Sequence, residues 1–291
     1  MSRFKIKRPK YLTYKIVTII VILIFMLPVV LLLLTSLRPR IEINTRPPIW
    51  IPEEISLNSY SALLGFGGNI QKFGFGENVP FRAYFRNSSI AATGSTILAL
   101  IAGTLAAYAF SGFKFKFRNG IFLGIMLARA IPGIALGLPL LILFSKLGFT
   151  DKTLGLILIY AAMNIPFTTW LMSGFISEIP NELKEAAYID GCSKWSVLFK
   201  LIIPLTAPGL AASGIFAFLT SWNEFAIVSV VSRTTASKTL PPGLFDFMAE
   251  FVSDWRGMCA MSILMIIPTI IFVLVVQRHL VRGLTIGAVK G

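Results

Sequence analysis

Residues 180–204 read PNELKEAAYIDGCSKWSVLFKLIIP, the one long polar, helix-forming stretch set between two apolar spans near the middle of the chain. Asn181, directly after Pro180, suits a helix N-cap, and Glu182 and Glu185 fall in the first turns, where the helix dipole favours negative charge. Gly191 suits a left-handed C-terminal cap, so the spacing predicts a short helix of about nine residues. Ser193 is placed to cap a second helical piece, which Pro204 interrupts as the chain turns apolar again. Ala186 and Ala187 leave one face of the first helix small enough for a partner's groove to close around the backbone. Glu185 offers an acceptor to a partner's Arg or Lys. An amphipathic loop between spans shares part of this pattern; Gly191 and the Leu201-Ile202-Ile203-Pro204 ending at fixed spacing make it more specific.

Outward from this loop the chain is apolar. Of its 291 residues 55% are hydrophobic and 14% charged, and the mean hydropathy is +0.78, which places it outside the range of soluble domains. Six stretches are each long enough to cross a hydrocarbon core of roughly 30 Å as a helix: 16–37, 88–110, 120–145, 154–176, 202–231 and 257–277. No run of alternating residues recurs at strand length, which argues against a barrel. The expected class is an all-α integral membrane protein with six transmembrane helices.

The formal net charge is +14, but basic residues in a membrane protein first report orientation. Arg3, Lys5, Lys7, Arg8, Lys10 and Lys15 precede the first span and argue for a cytoplasmic N-terminus. With six spans the C-terminus is cytoplasmic too, and the inner segments then hold 15 of the 27 basic residues. Lys114, Lys116 and Arg118, interleaved with Phe113, Phe115 and Phe117, fit a short loop at a membrane surface, so no nucleic-acid partner is expected. The run 16–37 is long for a secretory signal and offers no small-x-small cleavage site, so it reads as a retained first span. Cys192 in the inner loop and Cys259 in the last span stand at different membrane levels and are not expected to pair.

Between the first two spans lies an irregular external connector, 38–87, in which Pro47, Pro48 and Pro52 forbid a continuous helix and residues 57–64 suit a short one. It is either a structured connection or a contact for an external protein. The second span is rich in Ala, Gly, Ser and Thr, which lets helices approach closely. The third carries Arg129 with Pro132, Gly133, Gly137 and Pro139 and should be kinked or broken near its middle. Asn164 and Pro166 lie in the fourth span, and Trp222, Asn223 and Glu224 in the fifth. Arg129 and Glu224 either pair with each other, snorkel to an interface, or line a solute path together with Asn164, Trp222 and Asn223. An unpaired Arg129 favours an anionic solute, because its guanidinium binds carboxylates in a bidentate fashion.

No Gly-x-x-x-x-Gly-Lys-[Ser/Thr] loop is present, so the chain is not expected to hydrolyse ATP. The sole histidine, His279, has no Cys or Asp beside it, and no Gly-x-Ser-x-Gly or His-Glu-x-x-His occurs, so neither catalytic residues nor a metal site are expected. A secondary transporter also uses broken helices and buried charges, but no inverted repeat is evident and the inner loop is shaped for docking.

The loop, with Glu185-Ala186-Ala187, Asp190-Gly191 and its apolar ending, resembles the EAA loop of ABC-importer permeases. Residues 57–60 (LNSY), 84–88 (YFRNS), 106–109 (AAYA), 222–225 (WNEF) and the tail 283–291 (GLTIGAVKG) are similar to the carbohydrate, maltose-type branch, so the resemblance covers nearly the whole chain. Leu201 and Ile203 stand where that pattern has Ile and Leu, and 65–80 resembles an insertion.

The resemblance implies a type I importer permease fold. Segment 1–15 would be cytoplasmic, 16–37 the first span and 38–87 the external connector. A core domain, 88–291, would hold the other five spans, the coupling loop 177–201 and a cytoplasmic tail 278–291. It implies that Glu185, Ala186, Ala187, Asp190 and Gly191 couple to an ATPase and that Gly287 and Lys290 reach the ATPase interface. The implied partners are a second permease subunit in a heterodimer, two cytoplasmic ATPases that bind the ATP and Mg, an external solute-binding protein and membrane lipid, with no cofactor in this chain. The setting is the bacterial inner membrane and the solute a sugar or oligosaccharide, with an acidic one such as a uronate oligomer favoured by Arg129. A non-sugar solute and a secondary transporter are the alternatives.

Overall fold

The computed structural model describes residues 8–43, 45–66, 79–248 and 253–287. Among the described residues the regular structure is helical, with one isolated antiparallel bridge between Met248 and Ser253. Four helices are long and apolar enough to cross a membrane, Leu12–Ser36, Phe81–Gly112, Thr153–Ser177 and Trp255–Gln277, and two bent pairs bring the number to six if each pair is one span. The chain divides into two compact units, Met1–Val79 with Asp246–Met265, and Pro80–Phe245 with Ile266–Gly291.

In the first unit, α1 (Arg8–Ser36) is almost wholly apolar on every face from Ile16 to Leu34, and Leu23 and Phe25 stand exposed on it, as on a helix that spans a membrane. A short α2 (Arg40–Ile43) and α3 (Asn58–Leu64) follow. The connector is tied to the end of α1: Ser56 N–H donates to the Leu37 carbonyl at 2.8 Å and Ser36 Oγ lies 2.6 Å from Tyr60 Oη. Burial pushes the Tyr60 phenol up, against the opposing pull of its Ser36 hydrogen bond. Gly65 takes a φ of 72° to end α3, a conformation open to glycine without steric cost. The rest of the proposed insertion, 67–78, lies outside the described residues.

The second unit is built on α4 (Phe81–Gly112), which starts before the expected Ser88 and carries its polar first turns, with Tyr84 and Asn87, into the interior. Then come α5 (Arg118–Ala128), α6 (Gly133–Lys146) and α7 (Thr153–Ser177). The third span is broken: α5 and α6 meet at 96° across Arg129 to Pro132. Proline at 132 cannot donate to a helical ladder and biases its predecessor away from helix, so the chain restarts at Gly133. Then follow α8 (Asn181–Ile189), α9 (Lys194–Val197), α10 (Ile203–Leu205), α11 (Ala207–Trp222), α12 (Val228–Val231) and α13 (Leu240–Gly243); the last helix, α14 (Trp255–Gly287), belongs to the first unit up to Met265 and to the second from Ile266.

Helices α4, α7 and α11 form the core, and glycines set their distance. A Cβ on Gly103 would lie 2.6 Å from Thr168 Cγ2, and one on Gly209 would lie 2.5 Å from the Phe175 ring. The three helices are also stitched by polar side chains in the interior, where such bonds act as glue. Asn164 Nδ2 donates to Ser221 Oγ at 3.0 Å, and Ser95 Oγ donates to the same oxygen at 2.9 Å. Apolar clusters close the bundle toward each end, one around Leu156, Tyr160 and Ile227 and one around Met172, Leu198 and Ile202.

The fifth span differs from the expected 202–231. Its bent pair runs Lys194–Leu205 and Ala207–Trp222, and the helix ends at Trp222. Although residues 225–231 remain apolar, Glu224 captures two free backbone donors and starts a separate turn: its Oε1 accepts from Ile227 N–H at 2.9 Å and its Oε2 from Val228 N–H at 3.1 Å. The segment that follows is tacked down, with Asp151 Oδ1 accepting from Arg233 N–H at 2.6 Å and Asn87 donating to the Lys238 carbonyl at 3.0 Å. The last helix outruns the expected 257–277, reaching Gly287.

Candidate coupling loop and solute-facing site

Helix α8 spans Asn181–Ile189 with no buried residue. Its N-cap position is Pro180, which makes no side-chain cap, so Asn181 is the first helical residue rather than the cap. Proline's fixed φ and missing N–H cost nothing where no intrahelical donor is needed. Its other end is a two-bond Schellman closure. Gly191 has φ +80°, its N–H donates to the Tyr188 carbonyl at 3.0 Å, and Cys192 N–H donates to the Ala187 carbonyl at 2.9 Å. Asp190 is the C-cap residue. Past this turn Ser193 Oγ accepts from Ser196 N–H at 3.2 Å and caps α9, as the sequence suggested.

The two faces of α8 differ. Ala187 packs with Cys192 against the Met172–Leu198 cluster, whereas Glu185 and Ala186 are exposed and Ile189 is 86% exposed. Tyr108 Oη donates to the Lys194 carbonyl at 3.1 Å and sits 3.4 Å from Tyr188 Oη, while the Lys194 ammonium lies over the Phe113 ring at 4.7 Å. The small helix is thus tied along one side to the end of α4 and open on the other. Between α9 and α10 the chain widens into a π turn at Leu198–Ile202, because Pro204 cannot donate to the Lys200 carbonyl and its ring crowds it. The bend itself falls at Thr206, not at Pro204.

The five residues expected on a solute path stand in different surroundings. Asn164 and Trp222 are core residues: the first holds the Ser95–Ser221 network, and the second stacks on Phe218 at 5.5 Å and meets Phe85 edge-on at 6.0 Å. Asn223 is exposed and donates to the Leu219 carbonyl at 2.9 Å. Glu224 is occupied by the backbone of its own turn, and it makes no ion pair with Arg129. Arg129, at the C-cap of α5, is exposed, and its guanidinium carbon lies 4.7 Å from the ring centroids of both Phe167 and Phe216. Trp170, next to Phe167 at 5.7 Å, completes an aromatic group that the sequence reading missed. The i, i+3 spacing of Phe167 and Trp170 places both on one helix face and was a usable signal. The approach of Phe216 was not, since it depends on α7–α11 packing. Gly287 ends α14, and Lys290 lies outside the described residues.

Residues 96–286 match the family model described as the binding-protein-dependent transport system inner membrane component. The chain belongs to this family. Among the relatives of this inner membrane component is the diacetylchitobiose uptake system permease protein DasC of Streptomyces coelicolor, 32% identical over 276 residues, 94% of this chain and 96% of the relative. The trehalose transport system permease protein SugB of Mycobacterium tuberculosis is 31% identical over 91% of this chain and 93% of its own length. Among solved structures, a chain of a bacterial ABC transporter involved in import of the acidic polysaccharide alginate superposes with a TM-score of 0.76 at 20% identity, covering 95% of this chain and 99% of that one. The inner membrane component therefore has the ABC-importer permease fold.

Proposed function

We propose that this inner membrane component is the permease subunit of an ATP-driven, binding-protein-dependent ABC importer of a sugar or oligosaccharide, with α8 as its joint to an ATPase. The observation that carries the reading is the two-sided α8: one face tied to the bundle through Ala187 and Tyr188, the other presenting Glu185 and Ala186. A lever needs both, a fixed attachment to what it moves and a free face for what moves it. The relatives named for diacetylchitobiose and trehalose support a saccharide as solute. Arg129, unpaired with Glu224, supports an acidic one, as does the alginate-importer likeness at the level of fold.

In this reading both termini are cytoplasmic. The partners are a second permease subunit, two cytoplasmic ATPases that bind ATP and Mg, and an external binding protein; this chain carries no ATPase site of its own. Closure of the ATPases on ATP would push the Glu185–Ala186 face, and the tether to α4 and the clamp around α9–α11 would pass that motion into the spans. The test is uptake by the complete importer in proteoliposomes. Uptake should need internal ATP and persist in an uncoupler. Uptake without nucleotide that an uncoupler abolishes would establish a secondary transporter instead.

A further inference from the structure

We propose that Arg129, Phe167, Trp170 and Phe216 form a saccharide subsite that holds one anionic sugar unit on the transport path; this rests on the sugar-importer reading above. Arg129 stands about eleven residues beyond the start of α5 at Arg118, roughly 16 Å along a helix and near the middle of a hydrocarbon core of roughly 30 Å. Phe167 and Phe216 also fall in the central turns of α7 and α11. An exposed guanidinium at that depth cannot face lipid tails, so this face opens on water or on protein.

The surroundings are aromatic. Phe167 and Phe216 lie 3.9 Å apart, the guanidinium carbon is 4.7 Å from each centroid, and Trp170 is 52% exposed beside them. Cation–π attraction holds the guanidinium in place without using its N–H fork, which stays free for an acceptor. A pyranose ring is amphipathic, with apolar C–H faces and a polar rim. Its face fits the open Trp170 surface, and a carboxylate on the rim fits the two-pronged donor of Arg129. Neutral sugars gain only the stacking. The break between α5 and α6 places Arg129 on an exposed corner beside this platform rather than inside a continuous helix wall.

The experiment uses the complete importer with its binding protein in proteoliposomes with internal ATP, and compares uptake of a mannuronate pentasaccharide with that of maltopentaose. The wild type should take up the uronate at least about tenfold faster. Arg129→Gln should lower uronate uptake about tenfold while binding-protein-stimulated ATP hydrolysis continues, and Arg129→Lys should restore part of it by keeping the charge without the fork. Trp170→Phe should keep most of the rate and Trp170→Ala should lose most of it, which separates stacking from folding.

Equal uptake of the two sugars, or uronate uptake unchanged in Arg129→Gln, would overturn the proposal. So would a loss of assembled complex in Arg129→Gln that Arg129→Lys repairs, because that marks Arg129 as an ion pair with the second permease. None of these results touches the importer reading, which fails only if uptake of every sugar tested is independent of ATP.

Discussion

Helices α5 and α6 meet at 96°, and the pair formed by Lys194–Leu205 and Ala207–Trp222 meets at 77°, but the two breaks are built from different surroundings. The first is open. Residues 129–132 are exposed, α5 buries nothing, and the cation at the corner leans on aromatic rings. The second is clamped: Ile202 and Thr206 are buried, Thr206 Oγ1 donates to the Ile202 carbonyl at 2.8 Å, and Gly209 lies where a Cβ would strike the Phe175 ring. One device, a proline-punctuated break in a span, serves two ends. Where packing is absent, the break leaves a charge exposed; where packing is dense, it holds Lys194–Leu205 and the helix after it in one elbow.

That contrast can be broken first at α8, the helix that leads into the clamped elbow. Ala186→Trp or Glu185→Lys should cut uptake by more than about tenfold, while the chain still inserts and ATP is still hydrolysed, because only the free face of α8 is altered. Immunoblots of membranes with paired uptake and hydrolysis assays check this. At the open break, Arg129→Gln should remove about tenfold of uronate uptake and leave maltopentaose uptake and hydrolysis in place, whereas the α8 variants should lower uptake of both sugars. Gly191→Val tests whether the Schellman closure matters to the elbow. A β-branched residue at φ +80° costs roughly 1–2 kcal/mol, which should lower uptake a few-fold, whereas Gly191→Asn should sit near wild type because Asn tolerates that conformation. Tyr108→Phe removes only the hydroxyl that reaches Lys194 and Tyr188 and should change the transport rate by about twofold or less.

The open break and the loop were legible in the chain to different depths. Pro132 and Gly133 announced a break in the third span, and Gly191 announced the end of α8, because a ring without an N–H and a residue without a Cβ leave few local choices. Asn181 misled, since Pro180 before it already starts the helix without a side-chain cap. The fifth span was read past its end because 225–231 is apolar, and the capture of two backbone donors by Glu224 leaves no trace in hydropathy. Asn164 and Trp222 stand out in the sequence for polarity and aromaticity, but their surroundings do not: the Ser221 that accepts from Asn164 and the Phe85 that meets Trp222 edge-on come from helices far away along the chain. The aromatic group at Arg129 was hidden likewise, by a packing of α7 on α11 that depends on small residues such as Gly209.

Whether α8 is the joint to the ATPase is decided by uptake and ATP hydrolysis followed in the same proteoliposomes, for the wild-type importer and for Ala186→Trp. In Ala186→Trp hydrolysis should continue with solute moved per ATP reduced by about tenfold or more. An unchanged ratio of solute to ATP in that variant would contradict it and place the joint elsewhere.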